Sequence, residues 1–394
     1  MLLLLAILLS VDPHGAAVLL QHALVALKQG QIPEARSNLE RASRLDPQNA
    51  YVWSALAEAY WRAKETKLAS VAAKKAESTG SDNPVVCHAL AMYYSESGQF
   101  SHAADMERRF AERAKADPQA LSRAAELYLK AGEFKTGLEL ARKAQAQSPT
   151  ALNEDLLAQA LLADGQQADA GNHLQSAWEM DKSNGQIAFD WVQFLLRRGD
   201  FTGAADVANS FLAAHPNDAQ MMLALGVTRY GQRRFDEAIV TFLNVIRIDP
   251  SVTQSYLFLG RMLDQAGAHL PEITRDYQDW LARDGQNAKA QLLLAKALLA
   301  ADSKSEKAEP LLRMSIKSDA SDWESHYELG VLLANEHKYR EAAEQLAAGI
   351  SLAPNQPEPH YHLSRVYDRL GEPDRAKAER EVHQRLTPSS IHQQ

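Results

Sequence analysis

Small residues recur along this 394-residue chain at an almost constant interval. One series runs through Ala35, Ala69, Ala103, Gly137, Ala170, Ala204 and Ala238, in steps of 34, 34, 34, 33, 34 and 34 residues. It continues at Glu272, Ala308, Ala342 and Ala376. A fixed period of this length is typical of repeat architectures, in which each unit buries its apolar face against its neighbours. The chain is therefore expected to grow by repetition rather than around one large core.

Two further series keep the same period. One runs through Ala23, Ala57, Ala91, Ala125, Ala158, Val192, Gly226, Gly260, Ala295, Gly330 and Ser364. The other marks repeat ends with Pro47, Pro149, Pro216, Pro250, Pro354 and Pro388, while Pro118 is displaced by three residues. Together they predict about eleven repeats over residues 16–388, preceded by an apolar segment (1–15) and followed by a tail (389–394).

Each repeat contains two segments with apolar residues at i, i+3, i+4 and i+7, which indicates two helices joined by a short loop. Glycine is frequent where the first helix should end, as a left-handed cap prefers: Gly30, Gly98, Gly132, Gly165, Gly199 and Gly371. The small residues of the first two series would let the paired helices approach closely, because larger side chains would overpack the contact.

These positions resemble the tetratricopeptide repeat, whose pattern is W-x2-L-G-x2-Y…A-x3-F…P. Repeat two provides Trp53, Leu56, Ala57, Tyr60 and Ala69, and repeat seven provides Leu225, Gly226, Ala238, Phe242 and Pro250. The resemblance implies an all-α, right-handed superhelical solenoid of helix-turn-helix repeats. It also implies that the first helices line a concave surface and the second helices a convex one.

Two repeats depart from the pattern. Repeat eight has Glu272 where a small residue is expected, after Pro271, yet an apolar stripe from Ile273 onwards still predicts a second helix beginning at Pro271. Repeat nine has extra residues around 302–307 and places Pro310 in the first turn of its second helix. Residues 266–311 are therefore expected to form an irregular joint.

The resemblance also implies which residues face the concave groove, namely repeat positions 2, 5, 6, 9, 12 and 13, where Ala50 is position 1 of repeat two. The groove residues selected on this basis are Tyr51, Glu58, Trp61, Arg62, His88, Met92, Arg123, Phe189, Gln193, Tyr230, Phe258, Arg261, Tyr327, Tyr361 and Arg365. Further groove positions are Glu126, Asp155, Gln159, Asp190, Leu223, Val227, Leu257, Asp264, Glu328, His362 and Asp368. The set mixes aromatics with charges of both signs, as binding surfaces often do. The alternative for any single residue is packing between repeats.

These observations favour a non-catalytic scaffold that binds a partner protein or an extended peptide in its groove. The alternative is a structural assembly subunit that self-associates or organises an envelope complex. Some tetratricopeptide domains bind a peptide carboxylate with a clamp of Lys, Asn and Arg, but Ala17 and Leu20 occupy those places in repeat one. Glu324 and Tyr327 occupy them in repeat ten, so recognition of chaperone tails is disfavoured.

Neither an enzyme nor a cofactor, metal or nucleic-acid site is expected. The net charge is −8, which gives no general attraction for phosphate backbones. Cys87 is the only cysteine, and its helical position predicts a small buried apolar residue. His360 takes the place of Trp53 and is expected to pack, and His362 would point to another side of the helix. No glycine-rich phosphate loop or HExxH motif occurs.

The first nine residues, MLLLLAILL, are continuously apolar but too few to span a bilayer as a helix, so no integral membrane span is expected. They resemble the apolar region of a secretory signal, and Gly15, Ala16 and Ala17 provide small residues for cleavage. The basic leader is missing, so a signal truncated at its start and a hydrophobic first turn both stay open. Export to the periplasm is favoured over a cytoplasmic location.

Overall fold

The computed structural model describes residues 12–114 and 117–387. Within these ranges the chain forms 22 α-helices and two 3₁₀ turns, without a strand. The helices confirm the predicted all-α class and the prediction of about eleven helix pairs. Most of the predicted export signal and the whole tail 389–394 lie outside the described residues.

The chain divides into two compact units, residues 1–194 and 195–394, and the boundary falls inside the helix Gly185–Arg197, called α11. The helices of unit 1 are α1 (Pro13–Lys28), α2 (Ile32–Leu45), α3 (Ala50–Arg62), α4 (Thr66–Gly80), α5 (Pro84–Glu96), α6 (Phe100–Arg113), α7 (Ala120–Lys130), α8 (Phe134–Gln147), α9 (Ala151–Ala163), α10 (Gln167–Met180) and the start of α11. Those of unit 2, after the end of α11, are α12 (Phe201–Ala214), α13 (Ala219–Gly231), α14 (Phe235–Ile248), α15 (Thr253–Arg261), α16 (Leu270–Arg283), α17 (Ala288–Ala301), α18 (Ala308–Ser318), α19 (Trp323–Asn335), α20 (Tyr339–Leu352), α21 (Pro357–Leu370) and α22 (Pro373–Leu386).

Odd-numbered helices are the first helices of their repeats, and each packs on the second helix that follows, as α3 does on α4 and α19 on α20. Small residues make the close approach possible. Ala57 in α3 and Ala69 in α4 are fully buried. In α13, a Cβ on Gly226 would lie 2.6 Å from Cε1 of Phe242, so the ring occupies the space that any side chain would need. The predicted reason for the small-residue series is confirmed at these positions.

In every repeat except the ninth, the turn between the two helices uses a left-handed residue at repeat position 15. The six glycines predicted at this position all have positive φ, as does Gly267. In repeats two, seven and ten the same position is held by Lys64, Arg233 and His337, with φ of 63°, 60° and 63°. Because a Cβ disfavours this conformation, these three turns carry backbone strain that the glycine turns avoid.

A second recurring contact fixes the connection between repeats. The side chain at repeat position 4 donates a hydrogen bond to the carbonyl oxygen six residues earlier. The contacts are Trp53 Nε1 to Pro47 (2.9 Å), Cys87 Sγ to Ser81 (3.2 Å), Tyr256 hydroxyl to Pro250 (3.3 Å), Gln291 Nε2 to Gly285 (2.9 Å) and His360 Nε2 to Pro354 (3.1 Å). Five side chains of different chemistry thus satisfy an equivalent loop carbonyl. Cys87 and His360 are buried, as predicted, and each acts in packing.

Repeats eight and nine are irregular where the sequence predicted it. Helix α15 has only nine residues and is followed by 3₁₀ turns at Leu263–Gln265 and Gly267–His269. Helix α16 then begins at Leu270, with Pro271 in its first turn, and residues 302–307 form the longer loop before α18. One hydrophobic cluster extends from Ala238 to Ala297 through this region. The irregularity is therefore confined to the backbone, while the core of unit 2 continues across it.

Candidate functional site

In both units the first helices of consecutive repeats pack directly on each other. The pairs are α1 with α3, α3 with α5 and α7 with α9 in unit 1, and α15 with α17 and α19 with α21 in unit 2. The exposed sides of these helices form a surface in each unit, which we call the first-helix face. Every residue predicted for the groove lies on a first helix except Asp264, which lies in the 3₁₀ turn after α15. Residues at the seams between helices serve packing as well as the surface.

The predicted residues of repeat two divide between these two roles. Tyr51 is exposed, and its hydroxyl accepts a hydrogen bond from Asn83 Nδ2 at 2.6 Å. Arg62 pairs with Glu58 at 2.6 Å and donates to the carbonyl oxygen of Leu27 at 3.2 Å. Trp61 is half-buried against the core of unit 1, and its ring meets Tyr93 edge-on with 6.1 Å between centroids.

His88 and Arg123 meet at a carboxylate that the sequence analysis did not select. Glu107 of α6 is 2% exposed, and its two oxygens bond to His88 Nδ1 at 2.8 Å and to Arg123 Nε at 2.6 Å. Arg123 also binds Asp117 at 2.7 Å, and this hydrogen bond lowers the pKa of the Asp117 carboxyl. Since Glu107 lies on a second helix, no groove position predicted it. Both predicted residues are therefore held by intramolecular partners, whereas Met92 nearby is exposed.

A concavity on this face of unit 1 lies between α7 and α9 and has a volume of about 920 Å³. Ligand pockets commonly have volumes of roughly 300–1,000 Å³. Its lining combines apolar, amide and charged side chains: Pro118, Gln119, Ser122, Arg123, Glu126, Leu129, Lys130, Ser148, Thr150, Leu152, Asn153, Asp155, Leu156, Gln159 and Gln186. We call it the α7–α9 cavity. Leu152 is 58% exposed at its edge and occupies repeat position 2, as Tyr51 does, so its position gave a signal that the residue selection overlooked.

A chain of hydrogen bonds links two carboxylates at this cavity. Gln159 Nε2 donates to Asp155 Oδ2 at 2.7 Å and to Asp190 Oδ2 at 3.1 Å, and Gln186 Nε2 donates to Asp190 Oδ2 at 2.9 Å. Asp155 is 5% exposed, and its Oδ1 is buried without a hydrogen-bond partner among the described residues. Burial, reinforced by the nearby charge of Asp190, raises the pKa of Asp155 to about 7. Burial also raises the pKa of Glu126.

The remaining predicted residues of α11 are half-buried, namely Phe189 and Gln193. In unit 2, Phe258 stacks on Phe242 with 4.9 Å between ring centroids and meets Tyr230 edge-on at 5.6 Å. Arg261 lies over the Phe258 ring at 5.5 Å. Tyr230 and Phe258 thus pack mainly between repeats, and the guanidinium of Arg261 is the more accessible group.

A charged cluster on the first-helix face of unit 2 surrounds Lys296 of α17. Its Nζ lies 2.5 Å from Glu324 Oε1 and 3.4 Å from Glu328 Oε1. Lys289 joins the cluster through Glu324 at 3.3 Å. Burial raises the pKa of Glu328 despite the neighbouring ammonium. Lys289 and Lys296 hold repeat positions 2 and 9, so the register could have selected both, but the sequence analysis named only the carboxylate partners.

Near the C-terminus the predicted aromatic and cationic residues do come together. The ring of Tyr327 meets His362 edge-on at 5.5 Å, and Arg365 lies 5.7 Å from the centre of the Tyr361 ring. Tyr361 is exposed, whereas Tyr327 is half-buried, and burial raises its pKa to about 12. Two of the four side chains, Tyr361 and Arg365, remain exposed on the surface.

Over residues 12–114 and 117–387, no group of three or more His, Cys, Asp or Glu side chains is arranged to hold a metal ion. In the same ranges, no helix combines the length and the apolar character that crossing a membrane requires.

Family models match two parts of the chain. A tetratricopeptide-repeat model matches residues 189–253, and a second TPR model matches residues 24–63. No curated protein matches the sequence. The matched parts lie in different units, and the same 34-residue register and turn geometry extend through both. The protein is therefore a tetratricopeptide-repeat protein.

Solved structures with similar architecture share little sequence with the chain. The structure of Naa15/Naa10 bound to HypK-THB has 15% identity over 95% of this chain, which spans 64% of that chain, with a TM-score of 0.40. Yeast Tom70 has 14% identity over 95% of this chain and 92% of its own, with a TM-score of 0.44. Pseudomonas aeruginosa pilF has 16% identity over 63% and 97%, with a TM-score of 0.39. At these values none of the similarities identifies a function.

Proposed function

We propose that the protein is a non-catalytic interaction scaffold that binds a partner protein or an extended peptide on its first-helix face. Tetratricopeptide-repeat proteins generally mediate protein–protein interaction, and stacked repeats offer extended surfaces for it. The observation that carries the proposal is the α7–α9 cavity, where the exposed Leu152 borders the buried carboxylate of Asp155 and the buried amide of Asn153. Apolar contact area beside a few polar groups is the composition of binding pockets in general.

The alternative partner is a second copy of the chain, as in a self-associating assembly subunit. A partner protein or peptide and a second copy of the chain would both bury exposed apolar side chains. One pair of variants therefore tests both possibilities. Leu152→Asp places a charge on the first-helix face of α9. Val71→Asp places the same charge on the second helix α4, where Val71 is 63% exposed, and serves as the matched control.

The experiment uses the wild type and both variants as baits in the organism's own extract, with quantitative mass spectrometry. The proposal predicts at least one protein that is recovered by the wild type and by Val71→Asp but lost from Leu152→Asp. Equal recovery by all three baits contradicts it. Light scattering of the purified chain detects the alternative, because a wild-type oligomer that Leu152→Asp dissociates would identify a second copy as the occupant.

A further inference from the structure

The α7–α9 cavity has more acidic than basic groups available to a ligand. Glu126 and Asp155 supply carboxylates from α7 and α9, and Arg123 and Lys130 of α7 supply the cations. Of the two cations, Arg123 is already paired with both Glu107 and Asp117, which leaves Lys130. A bound group would therefore meet a net negative potential in a partly desolvated site, where charge complementarity acts most strongly.

The burial of the Asp155 carboxylate at this cavity lowers the stability of the folded chain. Among the described residues, its buried Oδ1 has no hydrogen-bond partner, and the side chain of Gln159 donates to Oδ2. Buried polar atoms are normally paired, and an unpaired one destabilises the folded state. Because this carboxylate lies at the wall of a cavity, its unpaired oxygen favours a ligand that donates a hydrogen bond to it.

We propose that the α7–α9 cavity binds a lysine or arginine side chain of an extended peptide, with Asp155 as the anionic partner. The cationic head donates to Asp155, and the amide of Gln159 rotates away from this carboxylate. The aliphatic stem lies on Leu152 and Leu156, because long basic side chains bury their methylene groups on apolar surface. A neighbouring apolar residue of the peptide covers the exposed part of Leu152.

This inference rests on the proposed function and adds the chemistry of the partner. It is tested with a phage-displayed library of random 12-residue peptides, selected on the wild-type protein, on Asp155→Asn and on Asp169→Asn. The first variant keeps the shape of the side chain and removes its charge. Asp169, exposed on the second helix α10, is the matched control.

Wild type and Asp169→Asn should enrich peptides with Lys or Arg beside an apolar residue, and Asp155→Asn should lose that enrichment. A selected peptide and its Lys→Gln form are then measured on wild type and Asp155→Asn by fluorescence anisotropy. The wild type should bind the lysine peptide at least about tenfold more tightly, as for one charge-assisted hydrogen bond, and the variant should bind both peptides alike.

Enriched peptides without a basic excess, or an equal Lys→Gln effect on both proteins, would overturn the inference while the binding function stands. If the wild type enriches no peptide at all, the proposed peptide-binding function fails together with the inference. Urea unfolding of both variants verifies that each is folded during selection.

Discussion

The indole N–H of Trp53 donates a hydrogen bond to the carbonyl oxygen of Pro47, with 2.9 Å between nitrogen and oxygen. The bond closes the loop between repeats one and two, and four other repeats make the same contact with a thiol, a phenol, an amide or an imidazole. In these five repeats the position thus holds a hydrogen-bond donor that reaches back six residues, rather than one residue type.

Removing the donor while keeping an aromatic ring should therefore destabilise the array. Trp53→Phe is expected to lower the free energy of unfolding by about 1–3 kcal/mol, because a partly buried carbonyl loses its partner and the ring becomes smaller. Tyr361→Phe removes a hydroxyl from an exposed tyrosine and should change stability by less than about 0.5 kcal/mol. Urea denaturation followed by circular dichroism measures both, and equal effects would contradict the role of the contact.

Glycine at the left-handed position of the three strained turns should stabilise the protein. Lys64→Gly, Arg233→Gly and His337→Gly are each expected to raise the free energy of unfolding by about 0.5–1 kcal/mol, since relief of the left-handed strain exceeds the added freedom of the unfolded chain. Lys64→Ala is the control, because it removes the side chain and keeps the Cβ. If alanine stabilises as much as glycine does, the backbone explanation is wrong.

Close packing at Gly226 leads to a third prediction. Gly226→Ala should destabilise unit 2 by about 1–3 kcal/mol, because the new Cβ would meet the ring of Phe242 at 2.6 Å. Adding Phe242→Leu should reduce the cost of the alanine, which a double-mutant cycle measures. At Gly285 the nearest atom to a new Cβ is a backbone oxygen at 3.9 Å, so Gly285→Ala serves as the control. Equal losses of stability in Gly226→Ala and Gly285→Ala would show that the contact with Phe242 does not limit the size of the side chain at position 226.

The pH dependence of stability should report on Asp155. Its pKa is raised from an ordinary value of 3.8 to about 7, so the native state binds this proton more tightly than the unfolded state does. The resulting contribution to stability is complete below about pH 4 and is lost as the pH rises through 7. Asp155→Asn cannot ionise, so its stability relative to wild type should increase by about 1–3 kcal/mol between pH 5 and pH 8. Asp169→Asn should follow the wild type, and a pH-independent difference for Asp155→Asn would refute the assignment.

The fold was predictable because its determinants are local and repeat. Most repeats use the same small residues and the same left-handed turn, so the 34-residue period is visible even where single matches are weak. The three turns without glycine were not predicted, since Lys64, Arg233 and His337 have side chains that carry no such signal. Only their spacing from the glycines of neighbouring repeats points to them.

The repeat register predicted which residues lie at the candidate site, but not the contacts that each of them makes there. The register selected Asp155, Gln159 and Asp190, yet it could not show that Gln159 bridges the two carboxylates or that one oxygen of Asp155 is unpaired. Those properties depend on how neighbouring first helices pack. The same packing explains why Trp61 and Phe258, predicted for the surface, contribute largely to seams between repeats.

The most direct test of the account is site-specific photocrosslinking in cells. p-Benzoylphenylalanine is placed at residue 152 on the first-helix face of unit 1 and, in a second protein, at residue 71 on helix α4. Crosslinked products are identified by mass spectrometry after irradiation. Binding on the first-helix face predicts a discrete partner that is crosslinked from position 152 and absent from position 71. The same products from both positions, or none from position 152 while position 71 crosslinks a partner, would contradict binding on the first-helix face.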